Sequence, residues 1–229
     1  MYRSRLVLLG VISFTLVSAN RVSAQGKMLV GVQGGTNIAS QFSSRQFYGS
    51  DISRYSRKGV IIGGIVEMPM SEPFYFAPEV RYIQKGVGYE GFPLFQNPLH
   101  GVGSLESQLE YIEVATNFEA KFGQRQFTFD LLAGPSFGIN TSSRSIQPVY
   151  ETSGNHYVNE TDNKNVTHLF EISVDGGAGV EIELSDQLYL GIHALYSLGL
   201  TDVYDEQNAD PPYTESTGIQ ILGRLMFSL

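Results

Sequence analysis

Apolar and polar residues trade places at nearly every step along eight segments of this 229-residue chain, and the connections between those segments are alternately long and short. Side chains on a β-strand point to opposite faces in turn, so each such segment builds a strand with one apolar and one polar face. The segments span roughly residues 28–38, 60–68, 74–85, 109–122, 126–140, 169–183, 188–200 and 217–228. Tight turns fall at Pro69 to Pro73, Gly123 to Arg125 and Leu184 to Gln187, whereas 39–59, 86–108, 141–168 and 201–216 are long and polar. An even strand number with short turns on one side and long loops on the other is the pattern of a barrel that crosses a membrane. The predicted fold is therefore all-β: an eight-stranded antiparallel up-and-down transmembrane β-barrel with short periplasmic turns and long extracellular loops.

The faces can be assigned residue by residue. In the fifth segment Phe127, Phe129, Leu131, Ala133, Pro135, Phe137 and Ile139 share one face, and Thr128, Asp130, Gly134, Ser136, Gly138 and Asn140 the other. The sixth sets Phe170, Ile172, Val174, Ala178, Val180 and Ile182 against Glu171, Ser173, Asp175, Gly177, Gly179 and Glu181. Alternation alone does not say which face points inward, because a soluble barrel would bury the apolar one. The aromatic residues favour lipid on the apolar side. Phe74, Phe76, Phe122, Phe127, Phe129 and Phe227 fall near the short turns, and Tyr82, Phe137, Phe170 and Tyr196 toward the long loops, as two interfacial girdles would. Ten residues separate Phe127 from Phe137. On a tilted strand that span covers roughly 26 Å, close to the ~25 Å apolar band of an outer-membrane barrel.

The amino terminus supplies the compartment. Arg3 and Arg5 precede an apolar run from Leu6 to Val17, and Val22-Ser23-Ala24 offers small residues where a signal peptidase reads. Residues 1–24 are expected to be a signal peptide cleaved after Ala24, leaving 25–229 as one barrel domain in the Gram-negative outer membrane after Sec export. The apolar run is too short to span a bilayer as a helix, which needs about 20 residues. With Cys 0 the chain can form neither a disulfide nor a thiolate metal site. Losing Arg3, Arg5 and Arg21 with the signal takes the formal charge from −8 to −11, which argues against nucleic acid as a partner, since phosphate binding needs a basic face. Glycine, 25 of 229 residues, lies mostly within the alternating segments, where it suits a sheet that must curl shut.

An inward polar face predicts an ionic network rather than an open channel. Its acids are Glu67, Glu79, Glu113, Glu119, Asp130, Glu171, Asp175 and Glu181, and its bases Arg81, Lys85, Lys121 and Arg224. Unpaired ions in a narrow interior are costly, so pairing across strands is expected. Seven apolar residues break the pattern. Ile61, Ile65, Ile83, Leu132, Leu195, Leu222 and Met226 fall on the nominal inside, as local apolar plugs or as the mark of a bulge that shifts the register by one.

Several of these segments carry a more specific likeness. They are Gly31-Val32-Gln33-Gly34-Gly35-Thr36-Asn37, Pro78-Glu79-Val80-Arg81-Tyr82-Ile83-Gln84-Lys85-Gly86, Leu109-Glu110-Tyr111-Ile112-Glu113-Val114, Leu132-Ala133-Gly134-Pro135-Ser136, Gly177-Ala178-Gly179-Val180-Glu181 and Tyr196-Ser197-Leu198-Gly199-Leu200-Thr201-Asp202. Together they resemble the PorT-like, porin-family outer-membrane β-barrel proteins of Bacteroidetes-type bacteria over most of the mature chain. The resemblance implies a fold more than an activity. Where that family often has a proline after its Tyr-x-Glu-Ile-type stretch this chain has Ala115, and it ends in Leu229 rather than an aromatic, which leaves Phe227 as the candidate terminal insertion signal.

For function, the leading expectation is a non-enzymatic barrel with a charged, largely filled lumen that presents its loops for structural or binding roles. The alternative is a minor cation-preferring porin, because an acidic passage focuses potential on cations. Expected partners are outer-membrane lipid, the barrel-assembly machinery and an extracellular or envelope partner reached through the loops; no cofactor is expected. Loop 39–59 is basic (Arg45, Arg54, Arg57 and Lys58 against Asp51) and loop 201–216 acidic (Asp202, Asp205, Glu206, Asp210 and Glu215), and the two can meet where the first and last strands adjoin. A cation site in that acidic loop lacks the Gly-containing Ca²⁺-loop spacing. Loop 141–168 is expected to be partly disordered. A hydrolase is the least supported alternative. Of His100, His156, His168 and His193 only His193 lies on a strand's polar face, and Ser197 is about 13 Å along the same strand, beyond hydrogen-bond reach. His193 reads more simply as a lumen-filling residue, with Asp175 as a conceivable cross-strand partner.

Overall fold

The computed structural model describes residues 27–43, 53–93, 102–124, 126–150, 156–204 and 214–229. The predicted signal segment lies outside the described residues, as do Arg45, Asp51, His100, Asp205, Glu206 and Asp210 of the long loops.

The described strands are β1 (Leu29–Ser43), β2 (Ser53–Ser71), β3 (Phe74–Pro93), β4 (Val102–Gln124), β5 (Phe127–Tyr150), β6 (His156–Asp162), β7 (Phe170–Ser185), β8 (Leu188–Gly199) and β9 (Thr214–Ser228). Each ring strand pairs antiparallel with the next, in the order β1-β2-β3-β4-β5-β7-β8-β9. The ring closes where β9 returns to β1, from Leu29 opposite Ser228 to Ser43 opposite Thr214. Closure leaves no open sheet edge within the ring. The fold is the predicted eight-stranded, all-antiparallel, up-and-down barrel.

A ninth strand stands outside that ring. Among the described residues β6 pairs with the last stretch of β5, from Arg144 opposite Asp162 to Tyr150 opposite His156, and a short 3-10 turn at Lys164–Val166 follows it. Within the segment expected to be partly disordered, the described residues therefore include a strand pair, and residues 151–155 lie outside the described residues. The other long connections are also partly strand: β2 begins at Ser53 rather than near residue 60, β3 runs on to Pro93, and β4 starts at Val102. Alternation reports one-sided burial, not strand as such, so a ladder that projects beyond the apolar zone loses its sequence signature while keeping its hydrogen bonds.

The barrel is inside out relative to a soluble one. On the outer wall Phe129, Leu131 and Ile192 are 42%, 48% and 61% exposed, whereas Glu119 and Asp175, which point inward, are 1% and 0% exposed. The seven inward apolar residues are all buried, and they resolve the earlier ambiguity in favour of plugs over a slipped register. Ile65 and Met226 join Leu29 and Ala77 in a small cluster against Tyr189. Ile61, Ile83, Leu132, Leu195 and Leu222 pack with Leu109, Tyr111 and Val203 in a larger one. Tyr204 covers that larger cluster, and its hydroxyl lies 2.8 Å from Ser107 Oγ.

Candidate functional site: the charged lumen

Every second residue of a strand faces inward, so a few strands suffice to line the lumen with ionisable groups. β3 contributes Glu79, Arg81 and Lys85; β4 contributes Glu113, Glu119 and Lys121; β7 contributes Glu171, Asp175 and Glu181. Glu67 comes from β2, Asp130 from β5 and Arg224 from β9. Eleven of these twelve groups are buried, and the Lys121 side chain is only 8% exposed.

They form one linked chain of ion pairs along the interior. Toward the outer end, Lys85 Nζ lies 2.7 Å from Glu171 and 2.6 Å from Glu113. Arg81 Nη2 pairs with Glu113 at 2.8 Å and with Asp175 at 2.6 Å, and Nη1 is 3.6 Å from Glu79. Glu79 also meets Arg224 at 2.9 Å, and Arg224 continues to Glu119 at 2.7 Å. Lys121 then joins Glu67 at 2.5 Å and Glu181 at 2.6 Å. His193 ends the chain, with Nε2 3.1 Å from Asp130 Oδ2 and 3.9 Å from Glu181 Oε1. Neutral amides fill the joints: Gln33 donates to Glu79 at 2.6 Å and accepts from Arg224 Nε at 3.2 Å, while Asn117 donates to Glu79 at 2.8 Å.

Charge-assisted hydrogen bonds of this length are roughly twice as strong as neutral ones. A buried ion without its partner is correspondingly costly, so each cation here is fixed by the two or three carboxylates that depend on it. Chemically the arrangement cross-links six or more strands through side chains.

Several contributors carry no signal in the sequence. Gln33, Asn117 and Val203 look like ordinary polar or loop residues, yet Gln33 bridges β1 to β3 and β9, and Val203 reaches back from the 201–216 segment to sit 1% exposed on the larger apolar cluster. His168 N–H donates to the Val203 carbonyl at 2.9 Å, and Val203 N–H to the Thr214 carbonyl at 2.9 Å, which ties this segment across the outer mouth.

His193 faces Asp130 rather than Asp175, which is held by Arg81, and Ser197 is set opposite Asp175 in the β7–β8 register. Of the aromatic set, Phe74, Phe122, Phe127, Phe129, Phe137, Phe170, Tyr196 and Phe227 are exposed on the outer wall, and Phe76 and Tyr82 are partly so. Phe76 packs against Phe118 with ring centroids 5.3 Å apart. Above the wall, on the β2–β3–β4 extension, the Tyr55 hydroxyl donates to Glu106 at 2.9 Å. Burial first, and that carboxylate second, push its pKa up to about 12.

A charged interior inside an apolar wall is accompanied by a direct sequence match. The model of the outer membrane protein beta-barrel domain aligns with residues 19–205. The chain belongs to that family. It is a protein of the outer membrane, and its family is one of membrane-embedded barrels in the cell envelope. No curated protein matches the sequence significantly. Among solved structures, neisserial surface protein A is similar at 14% identity with a TM-score of 0.44, over 86% of this chain and 96% of that one. OprG from Pseudomonas aeruginosa is similar at 8% identity and a TM-score of 0.44, over 89% and 96%. Ail, the attachment invasion locus protein of Yersinia pestis, is similar at 9% identity and a TM-score of 0.41, over 88% and 100%.

Proposed function

We propose that this protein is a non-enzymatic outer-membrane barrel whose plugged lumen serves as a rigid core, and whose outer strand extensions and loops make the functional contacts. The observation that carries this reading is the position of Arg81 and Arg224, both fully buried in the lumen and tied to carboxylates from three strands, β3, β4 and β7. Two apolar clusters add to the filling. The partners in this reading are lipid along the wall, with the two aromatic sets as interfacial girdles, the barrel-assembly machinery during insertion, with Phe227 as its terminal signal, and an extracellular or envelope ligand at the loops. Nucleic acid has no role in it. Within the family, the motifs around Pro78–Gly86 and Gly177–Glu181 support a PorT-like, Bacteroidetes-type subgroup.

Single-channel recording of refolded protein in planar bilayers tests the plugged lumen. Folded barrel that gives no conductance steps supports the reading. Steady cation-selective steps would replace it with the minor porin, and Glu119→Lys or Asp130→Lys would then reverse the selectivity.

A further inference from the structure

The lumen holds eight carboxylates against four cations, and the imbalance is not evenly served. Near the periplasmic end four carboxylates, Glu67, Glu119, Asp130 and Glu181, stand beside two cations, Lys121 and Arg224, and Arg224 is also claimed by Glu79. Asp130 has neither of those cations within ion-pair distance; its partner is His193. Glu181 gives one oxygen to Lys121 at 2.6 Å, while Oε1 is buried without a hydrogen-bond partner, as are Asp130 Oδ1 and His193 Nδ1.

We propose that Asp130, Glu181 and His193 form a buried lumenal site for a first-row divalent metal ion of the Zn²⁺ type. One ligand atom from each of the three comes within 4.8 Å of the others, and His193 Nε2 is 3.1 Å from Asp130 Oδ2 and 3.9 Å from Glu181 Oε1. Tetrahedral Zn²⁺ bonded at about 2.0–2.2 Å holds its ligand atoms about 3.4 Å apart, and those two separations bracket that value. One imidazole with two carboxylates is a donor set suited to zinc, iron or manganese. A divalent ion would also cancel the two-charge excess of four carboxylates over Lys121 and Arg224 at this end.

The backbone is shaped to bring these groups together. Asp130, Gly179 and His193 lie in one cross-strand row over β5, β7 and β8. A Cβ on Gly179 would meet His193 Cδ2 at 2.1 Å and Nε2 at 2.5 Å, so only glycine lets the imidazole lie across β7 toward Asp130. A Cβ on Gly191 would come within 2.8 Å of His193 Cε1 and 3.1 Å of Glu181 Cγ. One contact opposes the site: Arg224 Nη1 lies 3.4 Å from His193 Nε2, although the same nitrogen is held more closely by Glu119 at 2.7 Å.

The test is a Zn²⁺ titration of the refolded full barrel after chelator treatment, read by calorimetry and by the imidazole nitrogen resonances of the unaltered protein. The expected result is one saturable equivalent of Zn²⁺ that shifts the His193 resonances and leaves His168 unmoved. Asp130→Asn and His193→Gln should each weaken binding by at least about tenfold, since even outer-sphere changes cost that much. No saturable binding, or binding that shifts other histidines and leaves His193 in place, would overturn the proposal. Because that spectroscopic readout uses the unaltered chain, failure of a variant to fold does not spare it.

Discussion

Asp130 and Leu131 are adjacent on β5, yet one is fully buried and the other 48% exposed. The same is true of Phe118 and Glu119 on β4, at 45% and 1%. The outer wall asks only that a side chain be apolar, because lipid has no shape to match and no hydrogen bonds to satisfy. The lumen asks for a specific partner at each position. Arg81 and Arg224 each satisfy carboxylates on more than one strand, and each carboxylate depends on that arrangement. The wall is specified by composition and the lumen by pairing, so equal perturbations should have unequal effects.

The largest effect is expected inside. Arg224→Leu removes the cation that Glu79 and Glu119 share and leaves both carboxylates buried without it. Removing one partner of a buried pair costs about 3–5 kcal/mol. Urea unfolding of the barrel in lipid vesicles should register a loss of that size, and a loss under about 1 kcal/mol would mean that the lumen tolerates exchange as the wall does. Next in size is a charge placed on the wall. Leu131→Arg, near the middle of the belt, should cost about 2–4 kcal/mol in the same assay. A neutral outcome would place that face in water. The smallest effect belongs to the projecting hairpin, where Arg144 lies 3.7 Å from Glu110 and 4.0 Å from Glu160 and its side chain is 46% exposed. Arg144→Ala should change stability by less than about 1 kcal/mol, as exposed pairs do. A larger loss would tie the hairpin to the stability of the ring.

The same contrast explains what could be read from the sequence. Strand number, ring order and the inward or outward sense of residues such as Phe129 and Asp175 follow from period-two alternation, because burial on one side writes itself into every second position. Ile61 and Leu222 were legible as exceptions, but their role as packing partners was not, since that depends on which strands face each other across the lumen. His193 looked like filler. Its approach to Asp130 depends on Gly179 in the intervening strand, a relation between residues 63 positions apart that no local pattern encodes. The outer extensions were hidden for a different reason: both faces of the β5–β6 hairpin can be polar, so its ladder leaves no periodic trace.

A nitroxide scan tests the central arrangement most directly, and a chain with Cys 0 permits it without background labelling. Single labels at Ile192→Cys on the wall and Ser136→Cys in the lumen, in refolded barrel in lipid vesicles, are compared for collision with oxygen, which partitions into lipid, and with a water-soluble nickel chelate. The account predicts high oxygen and low nickel accessibility at position 192, and little oxygen accessibility at position 136, where the native side chain is 1% exposed. Oxygen-rich collisions at 136 together with nickel-rich collisions at 192 would invert the barrel and contradict the account.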